Sequence, residues 1–277
     1  MARPPVRLIA RLDVKGPNVV KGIQLEGLRI VGDPAALAHK YYRAGIDELL
    51  FLDIVASLYQ RNNILDVVRD TASEVFVPIT VGGGIRSVDD VVSALRSGAD
   101  KVAVNTAAIA RPQFLEEVAR AFGSQCIVLS VEAKRRRDGQ GWEALTDNGR
   151  ERTGVDVLSW VAEGERLGAG EVLVTSIDQE GSAKGMDLEL LSAIHERVRI
   201  PVIASGGAGG PADVEQVFRQ GAAEAVACAH ILHYGLFDVV AIKDHLRSHG
   251  IAVRPGGAQR EAACPAPSRA ARESLHR

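Results

Sequence analysis

The stretch VPITVGGGIRSVDD at 77–90 returns as IPVIASGGAGGPAD at 200–213. Each copy is a β-branched run that stops at a glycine cluster and continues into a helix-forming segment. The agreement extends outward. GADKVAVNTA (98–107) and GAAEAVACAH (221–230) follow at the same offset, and RLDVK (11–15) loosely matches SVEAK (130–134). A period this long is not that of a solenoid. It divides the chain into two like halves built of strand–helix units.

Further out, eight short apolar runs recur: RLIARLDV, ELLFLDIV, VPITVGG, KVAVNT, CIVLSVEA, EVLVTSID, IPVIASGG and EAVACAH. Each is apolar nearly throughout, as strands of a parallel sheet covered on both faces must be. Helical patterns lie between them. DPAALAHKYYRAG offers Asp33 as N-cap, Pro34 in the first turn and Gly45 as stop; SVDDVVSALRSG offers Ser87 and Gly98. GPADVEQVFRQG is a third such segment. Eight strands alternating with helices over about 250 residues predict a (β/α)8 TIM barrel with a two-fold half-barrel repeat, rather than an open sheet. Residues 1–253 are expected to form it. The Ala-, Pro-, Gly- and Arg-rich segment 254–277 has no apolar face and is expected to be a disordered tail.

Composition narrows the function classes. Hydrophobic residues are 46% and charged residues 25%, which suits a soluble domain with a large core. A net charge of −2 and only 4% aromatics argue against nucleic acid as partner. The apolar runs are far shorter than the ~20 residues a membrane helix needs, and the chain reaches Asp13 without a signal-like apolar segment. Cys126, Cys228 and Cys264 are too few and too scattered for a disulfide framework or a zinc site. A cytoplasmic protein with no metal and no cofactor is expected.

The glycine clusters carry the first chemical signal. VGGGI (81–85) and ASGGAG (204–209) each end a strand and precede a helix, where backbone N–H groups and the helix dipole favour an anion. Gly83 and Gly84 in one half, Gly206 and Gly207 in the other, are therefore phosphate-binding candidates, with Asn105 and Thr106 able to add side-chain donors. Two such turns related by the repeat predict two phosphate sites across one barrel mouth. A substrate with a phosphate at each end would span them.

Carboxylates form the second signal. Asp13 and Glu132 end equivalent strands of the two halves, at the catalytic face of a barrel, and could act as general acid and base. Alternatively, they cap loops or pair with Lys15 and Lys134. Asp53 and Asp178 also end strands, with Ser176 a rival to Asp178 for the repeat-equivalent position. Lys21 falls in VVKGIQLEGLR, read as a long loop after the first strand that could reach a phosphate. At the opposite end, Arg7, Glu48, Lys101 and Glu171 all sit at strand starts. They would either converge as a salt-bridged ring in the barrel bottom or form separate surface ion pairs. His39, His195, His233, His245 and His249 show no ligand spacing, and Cys126, Cys228, Trp142 and Trp160 suit packing roles.

Taken together, IARLDVKGPNVVKG, DELLFLDI, TVGGGI, GADKVAVNTAA, FGSQ, GAGEVLVTSID and IASGGAG resemble the cyclase subunit of imidazole glycerol phosphate synthase, over about residues 6–253. The resemblance implies a (β/α)8 barrel with a glutaminase docked at its bottom. It implies an ammonia-dependent lyase of histidine biosynthesis: ammonia from glutamine rises through the barrel and reacts with a bisphosphorylated ribulosyl aminoimidazole carboxamide. Imidazole glycerol phosphate and the purine precursor AICAR result. Asp13 matches a catalytic aspartate. Lys21, Gly84, Asn105, Thr106, Gly181 and Gly207 match substrate-contact positions, and Asp178 belongs to the same segment as Gly181. Arg7, Glu48, Lys101 and Glu171 match the gate of the ammonia channel, and Asp100 matches a position facing the glutaminase.

Three departures stand out. The second catalytic aspartate of the family falls on Glu132, IDxDG reads IDQEG with Glu180 in place of Asp, and a phosphate-loop serine aligns with His230. One extra methylene displaces a carboxylate by about 1 Å, enough to cost a hundredfold in rate. Two other readings therefore accompany the cyclase: a paralogue that channels ammonia to another acceptor, such as a nucleotide sugar, and a non-catalytic subunit that activates a glutaminase.

Overall fold

The computed structural model describes residues 4–23, 26–56 and 64–255. Among the described residues there are twelve strands: β1 (Arg7–Lys15), β2 (Asn18–Ile23), β3 (Glu26–Gly32), β4 (Glu48–Asp53), β5 (Ile79–Gly82), β6 (Lys101–Val104), β7 (Ile127–Arg135), β8 (Trp142–Thr146), β9 (Glu151–Asp156), β10 (Glu171–Ser176), β11 (Val202–Ser205) and β12 (Ala225–Cys228). Eight of them close in parallel, in the order β1, β4, β5, β6, β7, β10, β11, β12 and back to β1. These are the eight apolar runs read from the sequence, and the chain is a (β/α)8 barrel.

The remaining strands are two antiparallel extensions. β2 and β3 leave after β1, and β8 and β9 leave after β7, so each half carries its extension at the same place. This corrects the loop expected around Lys21. The segment turns at Gly16 (φ +59°) and then runs as paired strand, because NVVKGI supplies the β-branched content a ladder favours. The stretch after β7, polar by composition, likewise forms β8, whose five residues are all buried.

Helices pack around the barrel and are closed by the caps read from the sequence. Asp33 accepts the Ala36 N–H at 2.8 Å ahead of helix Pro34–Arg43. Ser87 forms a capping box with Asp90 ahead of helix Val88–Arg96. Each such bond is worth about 1 kcal/mol. The main core lies between strands and helices, while a second, smaller apolar cluster fills the barrel lumen. A buried ion pair, Lys243 Nζ to Asp47 Oδ1 at 2.7 Å, ties the last helix to the start of β4. No helix among the described residues is long and apolar enough to cross a membrane. The tail expected at 254–277 lies, beyond Pro255, outside the described residues.

Candidate active site

The barrel bottom comes first, because four strand starts meet there. Arg7 Nη1 lies 2.8 Å from Glu48 Oε1 and 2.9 Å from Glu171 Oε1. Lys101 Nζ lies 3.2 Å from Glu48 Oε2 and 3.0 Å from Glu171 Oε1. The four residues therefore form a closed ring of alternating charge, and the alternative of separate surface pairs is set aside. A cavity of about 930 Å³ opens beneath the ring and is lined by all four. Asp100, exposed at this end, accepts the Ile79 N–H at 2.8 Å.

Above the ring the lumen is apolar. Ile9, Leu50, Ala103, Val128, Leu173 and Ile203 meet there, with Ala225 and Ala227 closing the circle. The next inward residue of β1 is Arg11, 2% exposed. Its Nε donates to Asp13 Oδ1 at 2.7 Å, and its Nη1 donates to Thr175 Oγ1 at 2.8 Å and Ser205 Oγ at 3.1 Å. Those acceptors stand on β10 and β11, so the guanidinium reaches past β12 across the lumen. Sequence reasoning missed this residue, although the period-two series Arg7, Ile9, Arg11, Asp13 marks the inward face of β1.

At the mouth, Asp13 and Glu132 share one site but differ in surroundings. Burial pushes the Asp13 carboxyl up, but Arg11 and Lys21 outweigh it and hold the group below the usual carboxylate range. Lys21 Nζ is 3.5 Å from Asp13 Oδ2 and bonds Glu180; burial lowers its pKa to about 8. Glu132 accepts the Asn105 amide at 3.1 Å and the Gly149 N–H at 2.7 Å, both on Oε2. Burial raises its pKa to about 7, against the pull of Arg11 and the Gly149 N–H. A carboxyl poised there can both take and give a proton near neutrality.

The two glycine clusters are unequal in room. Gly83 and Gly84, with Asn105, Thr106 and Glu132, line a cavity of about 360 Å³ that also exposes Arg86 and Arg111, two cations the sequence reading did not single out. Gly83 has φ +89°, and a Cβ there would lie 2.1 Å from the Asp53 carbonyl oxygen, so only glycine permits this approach. In the other half Gly181, Gly206, Gly207 and His230 line a space of about 20 Å³, which Glu180 also borders. One water fits such a space. Thr106 additionally accepts the Asp147 N–H. Asp178 does not line either cavity; its carboxylate accepts the Arg135 N–H at 2.8 Å and pins the end of β7. His245 and His249, which show no ligand spacing in the sequence, meet Glu215 across two helices, with their ligand-type atoms within 4.8 Å of one another.

A barrel of two like halves, with glycine turns at its mouth and a charged ring at its base, defines the class: a two-fold (β/α)8 barrel with its working end above the strand C-termini. The family described as "Histidine biosynthesis protein" matches residues 7–238. The imidazole glycerol phosphate synthase subunit HisF of Legionella pneumophila is 62% identical over 204 residues, covering 74% of this chain and 96% of that protein. The HisF subunits of Myxococcus xanthus and Mycobacteroides abscessus are 52% and 51% identical, each over 90% of this chain and 97% and 98% of theirs. The chain belongs to the histidine biosynthesis protein family.

Proposed function

We propose that this chain is the cyclase subunit of imidazole glycerol phosphate synthase, an ammonia-dependent lyase working in the cytoplasm with a glutaminase partner seated at the barrel bottom. The observation that carries the reading is the vertical order of ring, apolar lumen and carboxylate mouth. A lumen of Ile9, Leu50, Leu173 and Ile203 favours neutral ammonia over ammonium, since an unpaired charge there would be strongly penalised. The ring of Arg7, Glu48, Lys101 and Glu171 is the gate. Asp100 lies on the side that would meet the partner.

At the mouth, ammonia adds to the ribulosyl carbonyl carbon, and the oxygen leaves as water. Ring closure then releases AICAR. Each stage moves protons, and Glu132 is the carboxyl suited to exchange them, beside an Asp13 anion that favours positive charge on the reacting nitrogen. One phosphate is assigned to Gly83, Gly84, Asn105 and Thr106. The other belongs with Gly181, Gly206 and Gly207 and needs the Glu180 carboxylate to withdraw, freeing Lys21 for phosphate.

That requirement also favours a second reading, in which the same ammonia path serves an acceptor with a single anionic anchor. Turnover of the ribulosyl substrate with ammonium, with imidazole glycerol phosphate as product, supports the first reading. Tight binding of singly phosphorylated compounds without turnover supports the second.

A further inference from the structure

The side chain that the proposed chemistry leaves unused is Arg11, the largest fully buried side chain in the described chain. An arginine buried in a barrel must have its donors satisfied. Here three of its five N–H donors are met, by Asp13 on its own strand and by Thr175 and Ser205 on β10 and β11, which fixes the guanidinium between the apolar lumen and the mouth. We propose that Arg11 is a positioning residue: by pinning the Asp13 carboxylate from below it keeps Asp13 a fixed anion and leaves proton exchange with the substrate to Glu132. The proton exchange rests on the cyclase reading, and the pinning rests on the three hydrogen bonds of Arg11 alone.

The two carboxylates are placed for unequal work. Both oxygens of Asp13 face cations, Oδ1 toward Arg11 and Oδ2 toward Lys21, and Asp13 does not line the cavity beside Gly83 and Gly84. Glu132 does line that cavity, and both of its hydrogen bonds fall on Oε2. Its oxygen Oε1 accepts none among the described residues. The charged and titratable groups around the pair are Arg11, Lys21 and His233 facing Asp13, with Arg11, Asp13 and Asp147 facing Glu132. Arg11 alone among the cations acts on both. Its removal therefore releases Asp13 upward toward the ordinary range and moves Glu132 further up, whereas a residue that only fills space would move neither.

The test is a carboxyl ¹³C NMR titration of the full chain, without substrate, in wild type, Arg11→Lys and Arg11→Met. Expected are a Glu132 signal that titrates near pH 7 and an Asp13 signal that stays ionised well below the ordinary range. In Arg11→Met both midpoints should move up, and in Arg11→Lys both should stay nearer wild type. Should Arg11→Met fail to fold, the wild-type and Arg11→Lys titrations decide. An Asp13 midpoint at or above the ordinary range in wild type, or no movement of either midpoint in a folded Arg11→Met, overturns the proposal. Kinetics with ammonium then add a second readout. The pH limb near 7 should persist in Asp13→Asn, at reduced kcat, and vanish in Glu132→Gln. A wild type without turnover would sink the cyclase reading and leave the titration standing.

Discussion

A single oxygen of Glu171, Oε1, accepts from both Arg7 at 2.9 Å and Lys101 at 3.0 Å, while its other oxygen is buried without a hydrogen-bond partner among the described residues. Glu48 bridges the same two cations through both of its oxygens, so the two sides of the ring differ: one carboxylate uses two atoms and the other uses one, to join cations on strands that are not neighbours in the barrel. A ring built for stability alone would pair both oxygens, since buried ions repay their desolvation only when fully bonded. A ring that must open to pass a small molecule can instead turn on one shared acceptor.

The prediction drawn from this is about selectivity between ammonia sources. Lys101→Ala should depress glutamine-dependent turnover, measured with the glutaminase partner, at least tenfold more than turnover with free ammonium. Equal losses in the two assays would assign the ring to folding.

Glu132 sets a pH prediction for stability. Its folded pKa, about 7, lies above the unfolded value, so the folded state holds the proton more tightly. Stability from this source is complete at acid pH and is lost as pH rises through about 7. The loss approaches an order of 3 kcal/mol at most, taking about 1.4 kcal/mol per pH unit. Glu132→Gln keeps an acceptor for Asn105 and Gly149 but does not titrate. Urea unfolding should therefore find the variant close to wild type at pH 5 and more stable at pH 8.5. Asp13 works with the opposite sign, giving stability that is lost on acidification.

Gly83 and Gly250 make a matched pair for the first cradle. Both have positive φ, but a Cβ at Gly83 strikes the Asp53 backbone and one at Gly250 meets open space. Gly250→Ala should cost about 1 kcal/mol from the left-handed backbone alone. Gly83→Ala should cost clearly more, about 2–4 kcal/mol, or distort the turn and weaken phosphate binding. Thermal unfolding and inorganic phosphate binding measure both. Equal costs would contradict the close packing of this turn against β4.

Much of this was legible in the chain. Eight apolar runs and a repeat across two strand–helix units fix a closed barrel, because buried parallel strands have few other arrangements. The ring was legible as residue types but not as a ring: strand starts show which charges could converge, and only the closed barrel brings Arg7 to Glu171. Lys21 was misplaced in a loop because a two-stranded extension carries weak, short alternation. Arg11 does not stand out among Arg7, Asp13 and Lys15 on the same strand, and its place shows only once its partners on β10 and β11 are known. The second cradle reads as open from its glycines. Its restriction depends on where the Glu180 side chain lies, which spacing does not encode.

The most direct measurement is a product assay. The purified full chain is supplied with the bisphosphorylated ribulosyl aminoimidazole carboxamide and ammonium at mildly alkaline pH, without partner. The cyclase account predicts imidazole glycerol phosphate and AICAR in equal amounts, with loss of at least two orders of magnitude in kcat for Glu132→Gln. Absence of both products from folded wild-type protein would contradict it.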